Sequence, residues 1–126
     1  MRRPTVLIAD GDQRTADALA ALLAERSDIV GAVEDGLALV EAAERARPDV
    51  IVSDIDLPFF SALEALERLR ERGVRSRFVV LTMNREEGLA AVRAGASAFV
   101  LKHTAGEDLV NAIDTVLNGR RLSHQP

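Results

Sequence analysis

Short apolar runs alternate with stretches of helical periodicity along the whole chain, and this predicts a doubly wound α/β domain. The runs are rich in Val, Ile and Leu, as strands buried on both faces of a parallel sheet require. The joints between elements are short and carry Gly, Pro and Asp. Right-handed crossovers then give a five-stranded parallel sheet with helices on both faces, most simply in the order 2-1-3-4-5.

Thr5 to Ala9 reads as a first strand ending at Asp10. Asp10-Gly11-Asp12-Gln13 is a turn, and Asp12 is a helix N-cap candidate. Leu19, Leu22 and Leu23 recur at helical spacing, predicting a helix to about residue 26. Ile29 to Val33 is the second strand. After the Glu34-Asp35-Gly36 turn comes a helix with Leu37, Val40 and Ala43 on one face, closed by Pro48. Asp49 to Ile55 is the third strand, and Pro58 stops regular structure ahead of a Phe59-Phe60-Ser61 loop. Leu63, Leu66 and Leu69 mark the next helix, which Gly73 ends. Arg77 to Thr82 is the fourth strand, Arg85 to Ala94 a short helix closed by Gly95, and Ser97 to Leu101 the fifth strand, ending at Lys102. Ala105 to Asn118 is the last helix, with Leu109, Ile113, Val116 and Leu117 apolar and Gly119 as its stop. The expected division is one domain over 1–119 and a polar tail, or the start of a linker, over 120–126.

At 126 residues, 48% of them hydrophobic, the chain can build one real core and does not read as disordered. A net charge of −4, no basic run, and aromatics limited to four Phe argue against nucleic-acid binding by this segment. No Cys is present, which excludes disulfides, thiolate metal sites and cysteine nucleophiles. Met1-Arg2-Arg3-Pro4 is basic but leads into an apolar run of strand length only, so a soluble cytoplasmic protein is expected.

The third strand ends in two carboxylates, Asp54 and Asp56. A charge there is costly unless paired, and ligands of open α/β sheets bind outside the carboxyl ends of strands. Asp10, Thr82 and Lys102 end the first, fourth and fifth strands, so the proposed order brings all of them to one rim. A carboxylate group calls for a hard cation such as Mg²⁺. Lysine suits an anionic oxygen, and a threonine hydroxyl can donate to one. Together they suit an aspartate that accepts a phosphoryl group as nucleophile.

Val6-Leu7-Ile8-Ala9-Asp10, Arg47-Pro48-Asp49-Val50-Ile51-Val52-Ser53-Asp54-Ile55-Asp56-Leu57-Pro58, Leu81-Thr82, Ala94-Gly95-Ala96 and Phe99-Val100-Leu101-Lys102 resemble the receiver domain of two-component response regulators. The resemblance covers nearly the whole chain and implies a flavodoxin-like (CheY-like) fold. It implies that Asp54 is the phosphoacceptor, that Thr82 and Lys102 bind the phosphoryl group, and that Thr82 and Phe99 form the switch. The alternative for Phe99 is plain core filling. Asp10, Asp54 and the Asp56 backbone carbonyl would hold Mg²⁺. The last helix and Asn118-Gly119-Arg120-Arg121-Leu122-Ser123 look like the NarL/FixJ (LuxR-type) subfamily. The implied partners are a histidine kinase, a second copy of the chain, and DNA only through a C-terminal helix-turn-helix domain that this sequence lacks; no membrane contact is implied.

The pocket departs from that family. Gly11 stands where a second acidic residue normally follows the first strand, so weak Mg²⁺ binding is expected. Asp56 could restore some negative charge, while Asp12 is more useful as a helix cap. Phe59-Phe60-Ser61-Ala62 makes the next loop bulky, Met83 could narrow access to Asp54, and the segment from Thr82 to Leu89 is short for the family. A receiver-shaped interaction module that needs no phosphate is therefore an alternative. A third reading takes Asp54-Ile55-Asp56, Thr82 and Lys102 as the motifs of a haloacid-dehalogenase-type phosphatase. Against it, the nucleophile strand comes third, and no later acidic pair is present.

Overall fold

The computed structural model describes residues 2–118. The strands are β1 (Thr5–Ala9), β2 (Asp28–Val33), β3 (Val50–Asp54), β4 (Arg77–Thr82) and β5 (Ala98–Leu101). The helices are α1 (Gln13–Leu23), α2 (Gly36–Ala46), α3 (Ala62–Glu71), α4 (Arg85–Arg93) and α5 (Ala105–Leu117), with a 3₁₀ turn at Lys102–Thr104 ahead of α5. All strand pairs are parallel, and the sheet order is β2-β1-β3-β4-β5, as the alternation predicts.

Side chains of a strand alternate between the two faces, and the two cores show this directly. Leu7, Ala9, Ile51, Phe78 and Val80 point into one core, with α2, α3 and α4 over it. Val6, Ile8, Val50, Val52, Val79 and Leu81 point into the other, under α1 and α5. Every residue of β3 is buried, which is why its sequence lacks polar alternation. Each fully buried Leu, Ile or Phe contributes about 1.5–3 kcal/mol relative to exposure.

Local chemistry sets the element ends. Asp12 caps α1, accepting from the Arg14 amide at 3.1 Å. Asp35 caps α2, accepting from the Ala38 amide at 2.8 Å. Ser61 and Glu64 close a reciprocal capping box at the start of α3. Gly73 and Gly95, at φ 78° and 119°, follow α3 and α4 in the left-handed region that glycine enters without strain.

Some expectations shift. α1 stops at Leu23, because the chain turns there and the Ser27 amide bonds back to the Leu23 carbonyl at 2.9 Å. On α2 the buried residues are Gly36, Leu39, Val40 and Ala43, and Leu37 is 47% exposed. Leu37 is the second helical residue, and the 3.6-residue period carries its neighbour Leu39 onto the core instead. β3 begins at Val50 rather than Asp49, whose carboxylate binds Thr5 and Arg2. It ends at Asp54 rather than Ile55. In the last helix Leu117 is 37% exposed, beyond the apolar stripe of Leu109, Ile113 and Val116. The expected helix stop at Gly119 and the tail 120–126 lie outside the described residues.

Candidate functional site

Asp10, Asp54, Thr82 and Lys102 gather at the carboxyl ends of β1, β3, β4 and β5. Asp10 follows β1 and is 2% exposed. Its amide donates to the Val33 carbonyl at 2.9 Å, and its Oδ1 accepts from the Asp12 amide at 2.9 Å. Its Oδ2 is buried without a hydrogen-bond partner, and among the described residues no other buried side-chain oxygen or nitrogen is left so. Burial pushes the Asp10 carboxyl above the ordinary aspartate range. The Asp54 charge pushes the same way, against the Asp12 amide and Lys102.

Asp54 closes β3 and is 8% exposed. Its Oδ2 accepts from Lys102 Nζ at 2.9 Å, across from the start of the turn that follows β5. Its Oδ1 accepts from the Asp56 amide at 3.2 Å. The Ser53 hydroxyl donates to its carbonyl oxygen at 2.8 Å. The result is a carboxylate held in place, with one ammonium on one oxygen and a second carboxylate beside it.

Asp56 contributes differently from the expectation that its charge replaces the one missing at Gly11. Its side chain is exposed, and it is its backbone amide that touches Asp54. Asp12 is committed as a helix cap, its carboxyl held below the usual range first by the Thr15 hydroxyl and then by the Arg14 amide. Among the described residues no three His, Cys, Asp or Glu side chains group closely enough to hold a metal ion. The rim offers a pair, Asp10 and Asp54. An unpartnered buried carboxylate oxygen next to a second carboxylate fits a hard cation whose remaining ligands are backbone oxygen and water.

Gly11 is exposed, and a Cβ there would meet only the Glu34 carbonyl at 3.6 Å and Pro58 Cδ at 3.8 Å, so a side chain has room. Phe59 stands 78% exposed at φ 69°. Phe60 lies against the first residue of α2, where a Cβ on Gly36 would come within 2.1 Å of the Phe60 carbonyl oxygen. The Arg68 guanidinium covers the Phe60 ring at 4.0 Å. Met83, the residue after Thr82, is 67% exposed.

Thr82 is fully buried at the end of β4, but its hydroxyl is not on Asp54. It donates to Glu87 Oε1 at 2.9 Å and accepts from the Asn84 amide at 3.2 Å. Phe99 is half-buried against the α2–α3–α4 core. Its ring lies over α4, so that a Cβ on Gly88 would fall 2.2 Å from Cδ2. Glu87 is the site neighbour that the sequence reading missed. The signal was available: Asn84 as N-cap with Glu87 three residues later is capping-box spacing beside a predicted site threonine.

A cavity of about 330 Å³ lies elsewhere, between α1, α5 and the N-terminal segment, and includes Leu23, Asp49 and Ile113. No helix among the described residues is long and apolar enough to cross a membrane.

Comparison with known proteins places the fold in a family. The response regulator receiver domain model matches residues 6–114. The transcriptional regulatory protein DesR of Bacillus subtilis is 34% identical over 94% of this chain and 60% of its own length. The nitrate/nitrite response regulator protein NarL of Escherichia coli is 31% identical over 94% of this chain and 56% of its own length. The chain thus spans little more than half the length of these relatives. The response regulator domain of Thermotoga maritima CheB superposes with a TM-score of 0.85 at 27% identity, covering 93% of this chain and 98% of that one. The chain belongs to the response regulator receiver domain family of two-component systems, with LuxR/NarL-type transcriptional regulators among its relatives.

Proposed function

We propose that Asp54 accepts a phosphoryl group from a histidine kinase and that the domain relays this state to an output partner. The observation that supports this best is the rim itself: a nearly buried Asp54 carboxylate held by Lys102, beside an Asp10 oxygen with no partner. A carboxylate oxygen of Asp54 attacks the phosphorus of a phosphorylated kinase imidazole. The new O–P bond forms as the N–P bond breaks, and the imidazole leaves with the bonding electron pair. The Asp56 amide and Lys102 orient the carboxylate, and Lys102 then faces a phosphoryl oxygen as a point charge. Thr82, once its hydroxyl turns from Glu87, donates to another.

Receiver domains bind Mg²⁺ in their acidic pocket. Here Asp10, Asp54 and the Asp56 backbone carbonyl would hold it, and when bound it offsets the negative charge gathered between the carboxylates and the phosphoryl oxygens. With Gly11 supplying no side chain, water takes one ligand place and binding is weak.

In this reading the domain is a signalling acceptor, not a turnover enzyme, and works in the cytoplasm. Residues 1–119 would form the receiver and 120–126 a tail or the start of a linker, with DNA contacted only through a helix-turn-helix domain outside this segment. A homodimer, through α5 or through α4 and α5, is part of the proposal. Sedimentation of dilute protein with and without a phosphoryl donor checks it, and monomer under both conditions removes it.

The pair of carboxylates in place of a larger cluster favours one rival, an interaction module that works without phosphate. Incubation with acetyl phosphate and Mg²⁺ followed by intact-mass measurement separates the two. One added phosphoryl mass, absent in Asp54→Asn, supports the acceptor. No added mass at saturating Mg²⁺ supports the module.

A further inference from the structure

We infer that Glu87 competes with the phosphoryl group for the Thr82 hydroxyl and is thereby a positioning residue for phosphoryl uptake, an inference that rests on the reading of Asp54 as phosphoacceptor. A threonine hydroxyl has one proton to give. At Thr82 two acceptors lie within reach, Glu87 Oε1 at 2.9 Å and the Asn84 carbonyl at 3.3 Å. The shorter bond goes to a carboxylate, and charge-assisted bonds are about twice as strong as neutral ones. The hydroxyl hydrogen therefore points at Glu87 Oε1, and Thr82 cannot donate to a phosphoryl oxygen while it does.

The comparison with α3 shows that this contact replaces a standard one. At α3, Glu64 Oε1 accepts from the Ser61 amide at 2.9 Å and the Glu64 amide donates to Ser61 Oγ at 3.2 Å, closing the box. At α4, Asn84 Oδ1 accepts from the Glu87 amide at 3.2 Å, but the reciprocal half is missing. The Asn84 amide donates to Thr82 Oγ1 instead, and the Glu87 carboxylate reaches Thr82 as well. Glu87 is exposed, and among the described residues its carboxylate has no other hydrogen bond. The next residue, Gly88, is the one whose missing Cβ gives space to the Phe99 ring. The Thr82 hydroxyl and the Phe99 ring thus meet the same turn of α4, and releasing Glu87 loosens that turn where Phe99 rests.

Acetyl phosphate labelling with Mg²⁺ tests this in the wild type, Glu87→Ala, Glu87→Gln, Thr82→Ala, and Thr82→Ala combined with Glu87→Ala. Freeing a hydroxyl from a bond to a charged acceptor should raise the labelling rate roughly three- to tenfold in Glu87→Ala. Glu87→Gln, which keeps a neutral acceptor, should fall between. In the Thr82→Ala background the Glu87 change should do nothing further. No rise in Glu87→Ala, or an equal rise in the Thr82→Ala background, overturns the inference, since Glu87 would then act without the hydroxyl. A second measurement needs no phosphoryl donor. By proton NMR, the Thr82 hydroxyl proton should exchange slowly in the wild type and be lost from view in Glu87→Ala, with the Phe99 ring resonances shifted. Unchanged Thr82 and Phe99 signals overturn the inference even where labelling is absent. Absence of labelling in the wild type instead defeats the assignment of Asp54.

Discussion

Asp49 and Asp54 flank the same strand, five positions apart, and the molecule treats them in opposite ways. Asp49, just before β3, has its carboxylate fully occupied. It accepts from the Thr5 amide at 2.9 Å, the Thr5 hydroxyl at 3.2 Å, and two Arg2 nitrogens at 3.1 Å each. Arg2 first, and the Thr5 groups after it, hold its carboxyl below the ordinary range against the effect of burial. At the other end of the sheet, Asp54 is less exposed than Asp49 and has one ammonium and one amide, while its neighbour Asp10 keeps a buried oxygen with no partner. The first arrangement ties β3 to the strand beside it and leaves nothing over. The second leaves acceptor capacity directed at one spot, as a site that takes up a cation and an anion must.

The sharpest break of this contrast is Asp54→Asn. It should abolish phosphoryl labelling and leave cooperative unfolding in urea nearly unchanged, because the amide is close in shape and the Lys102 side chain is partly in solvent. Labelling that survives in this variant defeats the assignment.

Gly11→Asp sharpens it from the other side. The position has room for a side chain and needs no positive φ. One more close carboxylate near a screened surface should tighten Mg²⁺ by roughly 1–3 kcal/mol, or about ten- to hundredfold, read by calorimetric titration. An unchanged affinity would mean that the missing carboxylate is not what limits the site. Asp56→Ala in the same titration should have little effect, since that side chain faces solvent.

Asp49→Ala should act on stability alone. It strips the Thr5 amide of its acceptor at the start of β1, for a loss of about 1–2 kcal/mol by denaturant unfolding, with labelling of Asp54 intact. A fall in labelling without a fall in stability would erase the distinction between the two ends.

The smallest effect is a matter of pH. Asp49 is depressed in the folded state, so its contribution is present above the unfolded value and is lost as pH falls through the folded one. Asp10 is raised, so the folded state takes up its proton first, and stability falls as pH climbs from the unfolded value through the folded one. Asp10→Asn should therefore be more stable than the wild type at neutral pH without Mg²⁺, by about 1 kcal/mol, and lose that advantage in acid. Urea midpoints across the carboxylate titration range check the sign. Added Mg²⁺ should shrink the gap by stabilising only the wild type.

Much of this was legible in the chain. Strand and helix patterning is local, and so is most capping: Asp12, Gly73 and Gly95 act within a few residues of where they stand. Strict alternation with short joints leaves few topologies, which is why strand order, and with it the meeting of Asp10, Asp54, Thr82 and Lys102, followed from sequence. Asp56 shows the limit. Its spacing from Asp54 was readable, yet whether its carboxylate or its amide turned inward depended on the path of the chain after β3.

The sequence by itself determined which residues lie at strand ends, because period and punctuation are properties of neighbours along the chain. Tertiary structure alone decided what each of those residues touches. Asp49 and Asp54 look alike as letters, and Arg2, Thr5 and Lys102 had to arrive from distant positions to make one a tie and the other a site. Leu39 rather than Leu37 faces the core because the sheet fixes the rotation of α2. The spacing of Glu87 from Asn84 was readable, yet that its carboxylate reaches the Thr82 hydroxyl rather than the Asn84 amide was decided by how the start of α4 meets the end of β4. Hydrogen bonds and burial are set by positions to a fraction of an ångström, and those positions come from the packing of the whole domain.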